Sequence, residues 1–205
     1  MTSAIFEPGS DTIETIATEL SLALKVTWAI FVLVWIIGAF TSKRTVRRQS
    51  LASRFGMVAI AILEYLVLFW GASYFGFANR RFLPALPMYL WIGLLMTIAG
   101  VMFAIWARIT LGRNWSEIAT LKQDHELIRR GPYALVRHPI YTGITFAIFG
   151  TAIFDGEIRS IILIVAILSL LTHKMKIEEQ FMTAQFGSEY ASYRQKTKAF
   201  VPFLW

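Results

Sequence analysis

Between His125 and Gly143 the chain reads HELIRRGPYALVRHPIYTG, which gathers two of its three histidines, three arginines, two tyrosines and two of its six prolines. Long apolar blocks lie on both sides. A segment that only joined membrane helices would not need this mixture. Gly131-Pro132 marks a turn, and Pro139 makes a helix hard to carry through His138. Between them Tyr133, Arg137, His138 and Tyr141 form a compact set of aromatic, cationic and hydrogen-bonding groups. Two further polar stretches exist, Leu111 to Lys122 and His173 to Arg194. The last carries Lys174, Lys176, Glu178 and Glu179, then Phe186-Gly187, Tyr190, Tyr193 and Arg194. On a helix Lys174 and Glu178 share a face. Glu178 and Glu179 diverge by about 100° and cannot face one ligand equally.

Several chemistries drop out. The chain has no cysteine, so no disulfide, thiol nucleophile or thiolate-bound metal. The three histidines lack metal-ligand spacing, and no metal site is expected. No Gly-rich dinucleotide fingerprint, phosphate-loop lysine or GxSxG elbow appears. What remains is a polar pocket built from loops and helix ends.

The elements that position it are membrane helices. Of 205 residues 56% are hydrophobic and 16% charged, against about a quarter charged in soluble domains. The mean hydropathy is +0.56, and the apolar residues fall in blocks, not in a stripe of helical period. The net charge of +7 flanks those blocks, which points to membrane orientation and anionic headgroups and away from nucleic acid. Residues 1–21 are an acidic tail or interfacial helix, unlike a secretory signal. Residues 22–107 hold three spans, Leu22–Phe40, Gly56–Ala78 with Glu64 inside it, and Met88–Ala107. Glu64 reads first as a partner for a neighbouring helix.

The basic loop 41–55, with Lys43, Arg44, Arg47, Arg48 and Arg54, should face the cytoplasm and leave the N-terminus outside. Residues 108–205 form the polar region, interrupted by a hairpin over 140–172 whose arms, Ile140–Phe154 and Ser160–Thr172, are short for a span of roughly 20 residues. The expected fold is an all-α integral membrane protein of about five transmembrane helices including this short C-terminal hairpin. The cofactor pocket and C-terminus would be cytoplasmic.

Over roughly 108–203 the chain resembles the isoprenylcysteine carboxyl methyltransferases, within the membrane phospholipid-methyltransferase group. The likeness rests on Leu111-Gly-Arg-Asn-Trp-Ser116, His125-Glu-Leu-Ile128, Gly131-Pro-Tyr133, Arg137-His-Pro-Ile-Tyr141, Glu178-Glu179, and Phe186-Gly-Ser-Glu-Tyr190 with Tyr193. It implies S-adenosylmethionine as cofactor, contacted by His125, Glu126, Leu127, Ile128, Tyr133, His138, Pro139, Ile140, Tyr141 and Glu178. It also implies a lipophilic acceptor entering from the bilayer and positioned by Lys174 or Arg137. Asn114 and Trp115 would shape the pocket. Arg137 fits either the cofactor carboxylate or a lipid headgroup. One departure stands out: the family's substrate-handling arginine aligns with Lys174, which keeps the charge but loses the planar fork. The acceptor therefore stays open among carboxylate, thiol, amine and hydroxyl groups. The alternatives are an NADPH-dependent reductase of the sterol-reductase type and a non-catalytic membrane adaptor. Oligomeric state is not legible.

Overall fold

In the computed structural model, residues 10–40, 45–47, 76–112, 121–122 and 126–200 are described. They contain four α-helices: α1 (Ser10–Phe40), α2 (Pro87–Leu111), α3 (Pro139–Asp155) and α4 (Ile158–Lys196). Two short strands, β1 (Thr45–Arg47) and β2 (Leu121–Lys122), pair antiparallel, and 3-10 turns occupy Gly76–Asn79 and Gly131–Ala134. Three helices have stretches long and apolar enough to cross a membrane, with α3 a shorter apolar one. The expected second span and Glu64 lie almost wholly outside the described residues.

Small residues set the α2–α3 contact. Gly93, Thr97, Gly100 and Ala104 recur at alternating spacings of four and three, as do Gly143, Ala147, Gly150 and Phe154. That period places each set on one helix stripe, and stripes of small residues let membrane helices approach backbone to backbone. A Cβ at Gly100 would lie 2.4 Å from the Ala147 backbone nitrogen, and one at Gly143 would lie 2.6 Å from the Ala104 nitrogen. Thr97 Oγ1 donates to the Ala147 carbonyl across this seam at 3.2 Å. Leu20 and Leu24 bring α1 onto Leu94 and Phe154, and the Trp28 indole N–H donates to Thr151 Oγ1 at 3.1 Å. At the other end of α1, Arg108 Nη2 donates to the Gly38 carbonyl at 2.6 Å and Nη1 to that of Gly112 at 3.0 Å.

Two turns meet at one end of the bundle. The Phe82 N–H donates to the Gly156 carbonyl (2.8 Å) and the Ile158 N–H to that of Arg80 (3.0 Å). The loop before α2 and the α3–α4 turn thus lie together, as two loops on one side of a membrane must.

The hairpin departs from expectation in one respect. Its second arm is no short helix: α4 runs for 39 residues, through the apolar stretch 160–172 and on into the polar stretch that follows. Nothing at His173 to Lys176 breaks a helix, since the change there is one of solvent preference and not of backbone propensity. The helix that carries the first span likewise begins earlier, at Ser10, and that of the third continues to Leu111.

Candidate active site

Pro139 opens α3 at the position where a missing N–H costs nothing, leaving His138 at the helix entry. The polar half of α4, beyond the apolar stretch 160–172, lies across that entry. His138 is 8% exposed. Its two ring nitrogens face the two adjacent carboxylates, Nδ1 lying 3.6 Å from Glu178 Oε2 and Nε2 lying 3.3 Å from Glu179 Oε1.

The divergence of neighbouring helix positions then divides the rest. On the Glu178 side the Tyr141 hydroxyl donates to the carboxylate. The His138 ring stacks on Tyr141 at 5.7 Å, and the Lys174 ammonium lies 5.5 Å from the Tyr141 ring centre. On the Glu179 side, Arg137 Nε and Nη2 both donate to Oε1, at 2.9 and 2.7 Å. Arg137 Nη1 donates to the Thr197 carbonyl and, at 3.3 Å, to that of Arg194.

The terminal segment closes this arrangement. Gly187 has φ 48° and ψ −119°, a conformation that side-chain-bearing residues rarely adopt. The kink there redirects the last turns of α4, burying Tyr190 and Tyr193. Tyr193 donates its hydroxyl to the Tyr133 carbonyl at 2.6 Å, and burial pushes its phenol up to about 12. Beyond the helix the chain lies along 136–142. The Arg137 N–H donates to the Lys198 carbonyl (2.8 Å) and the His138 N–H to that of Ala199 (2.9 Å). Thr142 Oγ1 donates to the Phe200 carbonyl at 2.7 Å. Phe200 packs with Tyr141, Leu171 and Met175.

Of the residues singled out in the sequence, Arg137, His138, Tyr141, Lys174 and Glu178 come together here. Ile140 packs against the Tyr141–Leu171 cluster and Pro139 is buried at the helix start. Tyr133 is buried, and burial raises its phenol. Glu126, Leu127 and Ile128 form the approach to the Gly131 turn, exposed at Glu126 and partly buried after it. No side-chain hydrogen bond among the described residues ties Glu126 to the cluster. His125, Asn114 and Trp115 lie outside the described residues. Glu179 and the strap 197–200 were not among the predicted site residues. An Arg137–Glu179 pair 42 positions apart leaves no periodic signal.

Burial alone would lower His138, but the Glu178 and Glu179 carboxylates against its two ring nitrogens outweigh that and raise it. Burial likewise works against both carboxylates. The His138 hydrogen bond and the Lys174 charge hold Glu178 below its usual range. The His138 and Arg137 hydrogen bonds bring Glu179 down to about 2.

The pH consequence has a definite sign. His138, raised when folded, contributes stability that is full below its ordinary value of 6.5 and is lost as pH rises through its higher folded value. Glu179, depressed when folded, contributes stability present above 4.5 and lost as pH falls toward 2. The melting temperature in detergent should therefore peak between pH 4.5 and 6.5. A His138→Asn variant should lose the alkaline decline. An unchanged decline in that variant would assign it to another group.

A half-buried pair of carboxylates bridged by the buried His138, at the polar end of an apolar helix hairpin, defines the class: a membrane-embedded protein with a charged cluster where its helices turn polar. The profile of the phospholipid methyltransferase family matches residues 88–189, which takes in α2, α3 and most of α4. Similar proteins include protein-S-isoprenylcysteine O-methyltransferase B of Arabidopsis thaliana, 29% identical over 71% of this chain and 71% of that protein. The Saccharomyces cerevisiae protein-S-isoprenylcysteine O-methyltransferase is 28% identical over 55% of this chain and 48% of its own length. That of Schizosaccharomyces pombe is 32% identical over 48% and 43%. Among solved structures, a eukaryotic intramembrane Ras methyltransferase, an isoprenylcysteine carboxyl methyltransferase, shares the fold. Its TM-score is 0.53 at 23% identity, covering 76% of this chain and 55% of that one. The chain thus carries the phospholipid methyltransferase pattern over residues 88–189 and is similar, there and beyond, to membrane methyltransferases of the isoprenylcysteine carboxyl type. It spans 71% of the first of these relatives and about half of the yeast one.

Proposed function

We propose that the chain transfers the methyl group of S-adenosylmethionine to the carboxylate of a lipid-borne acceptor of the prenylcysteine type. The observation that carries this reading is the cluster of buried His138 and Tyr141 on half-buried Glu178, with Lys174 beside it, at the polar end of an apolar hairpin. The donor set suits the cofactor. Glu178, held ionised, can accept from its ammonium or ribose hydroxyls, and the aromatic faces of His138 and Tyr141 suit an adenine or a sulfonium. When bound, S-adenosylmethionine supplies the activated methyl and its leaving group. The protein's part is to align the acceptor, exclude water and place charge.

Lys174 offers the positive charge for an acceptor carboxylate, one turn along α4 from Glu178. Arg137, fully engaged by Glu179 and two carbonyls, serves better as a positioning residue that ties the strap to the His138 loop. We place this pocket on the cytoplasmic side and the N-terminus outside. The pairing of β1 with β2 supports that orientation, because it sets Thr45–Arg47 beside Leu121–Lys122, each within a basic stretch expected on the cytoplasmic side.

The test is ligand-dependent melting of the detergent-purified protein. S-adenosylhomocysteine at 100 times its Kd should stabilise by about 2.7 kcal/mol, while NADPH should not stabilise at all. A shift with NADPH alone would make the reductase the correct reading, and a shift with neither would leave the adaptor. Lys174→Ala should then raise the acceptor KM about tenfold or more, the worth of a charged hydrogen bond, and lower S-adenosylhomocysteine affinity by much less than Glu178→Gln does. Lys174→Arg should retain turnover.

A further inference from the structure

The α3 helix has a second buried face besides its glycine seam. Tyr141, Thr145, Ile148 and Ala152 fall on it, with exposures of 8, 7, 9 and 4%. At the polar end this face meets α4, where Tyr141 packs on Leu171 and Met175. Thr145 is the exception in an otherwise satisfied set. The hydroxyls of Thr97, Thr142, Thr151 and Thr172 each bond back to the carbonyl four residues earlier. The Thr145 hydroxyl is buried with no hydrogen-bond partner among the described residues.

An unpartnered hydroxyl in an apolar interior is destabilising, and a valine of the same shape would remove the penalty. A group held in that condition on the same helix face as Tyr141, whose hydroxyl donates to Glu178, is a candidate for contact with a ligand. Its place is specific. Thr145 lies one helical turn, about 5.4 Å, from Tyr141 toward the α3–α4 turn, on the bilayer side of the His138–Glu178 cluster. An acceptor whose carboxylate reaches that cluster from the membrane brings its next polar group to this depth. In an S-alkylated cysteine residue that group is the amide, which precedes the thioether and the apolar chain.

We infer that the Thr145 hydroxyl hydrogen-bonds the cysteine amide of the acceptor and so selects lipidated amino acids over simple lipid carboxylic acids. The inference rests on the methyltransferase reading above. The hydroxyl can accept from the amide N–H or donate to its carbonyl, and a site built to pair a polar group discriminates against analogues that lack it.

The test uses the full chain in detergent with two acceptors, N-acetyl-S-farnesylcysteine and S-farnesylthiopropionate, which share the prenyl chain and carboxylate but differ in the acetamido group. The wild type should prefer the first by about tenfold in kcat/KM, the worth of one neutral hydrogen bond. Thr145→Val should remove that preference by lowering kcat/KM for the first alone, with a melting temperature equal to or above wild type and the S-adenosylhomocysteine shift retained. Thr145→Ser should behave as wild type. If Thr145→Val lowered both acceptors equally, or neither, the assignment would be overturned while the methyltransferase reading stood. If the wild type methylated neither acceptor yet melted higher with S-adenosylhomocysteine, the prenylcysteine reading would fall, and this inference with it.

Discussion

Glu178→Gln is expected to weaken S-adenosylhomocysteine binding by roughly 10- to 100-fold, and to lower the melting temperature less than Glu179→Gln does. The side chain keeps its size and can still accept from Tyr141, so packing survives. What is lost is the negative charge, which His138 and Lys174 hold in its ionised form. A hydrogen bond to a charged group is worth about 1.5–3 kcal/mol, and each 1.4 kcal/mol is tenfold in affinity. Glu179→Gln supplies the contrast one residue away. That carboxylate is spoken for by Arg137, with exposures of 10 and 17% for the two side chains. Stranding a largely buried guanidinium costs roughly 2 kcal/mol or more, so Glu179→Gln should lower the melting temperature. It should also loosen the 197–200 strap that shares Arg137. Titration of each variant by thermal shift separates the effects. Equal loss of ligand affinity in both variants, or in neither, would refute the division of labour between the two carboxylates.

That division was half visible in the sequence. Adjacent positions on a helix must diverge, so Glu178 and Glu179, which share only His138, face different further partners, and Lys174 lies on the Glu178 side as their spacing implies. The partners on the other face, Arg137 and the carbonyls of Arg194 and Thr197, depend on how the terminal segment folds back, which Gly187 decides with a backbone angle and no hydropathy change. The described membrane segments were legible because apolar blocks flanked by basic residues report the solvent directly. Their ends were not. Hydropathy stops where the lipid stops, whereas α4 continues because its polar residues, Lys174 to Gln185, are good helix formers. The site emerges at the point where those two signals separate: the helix persists while its solvent changes.

The largest effect on the fold should come from the glycine seam, through Gly100→Leu. A Cβ at this position would lie 2.4 Å from the Ala147 nitrogen and 2.6 Å from the Gly143 carbonyl oxygen, backbone atoms that no rotamer change can move. Overpacking a tight contact costs typically about 1–3 kcal/mol. Here the whole leucine must find room, so α2 and α3 must separate along their length. Separation would take Thr97 from the Ala147 carbonyl and pull the α3 entry, with His138, out of line with α4. Gly100→Leu should therefore fail to give a monodisperse protein in detergent, or melt well below wild type with no S-adenosylhomocysteine shift. Gly76→Ala is the control, because a Cβ there meets nothing within 4 Å, and it should leave melting and ligand response unchanged. Gly100→Ala should fall between the two, since a single methyl already reaches the Ala147 backbone. A Gly100→Leu protein with wild-type melting would mean that α2 and α3 stand further apart than this seam allows, and the placement of His138 against Glu178 and Glu179 would fail with it.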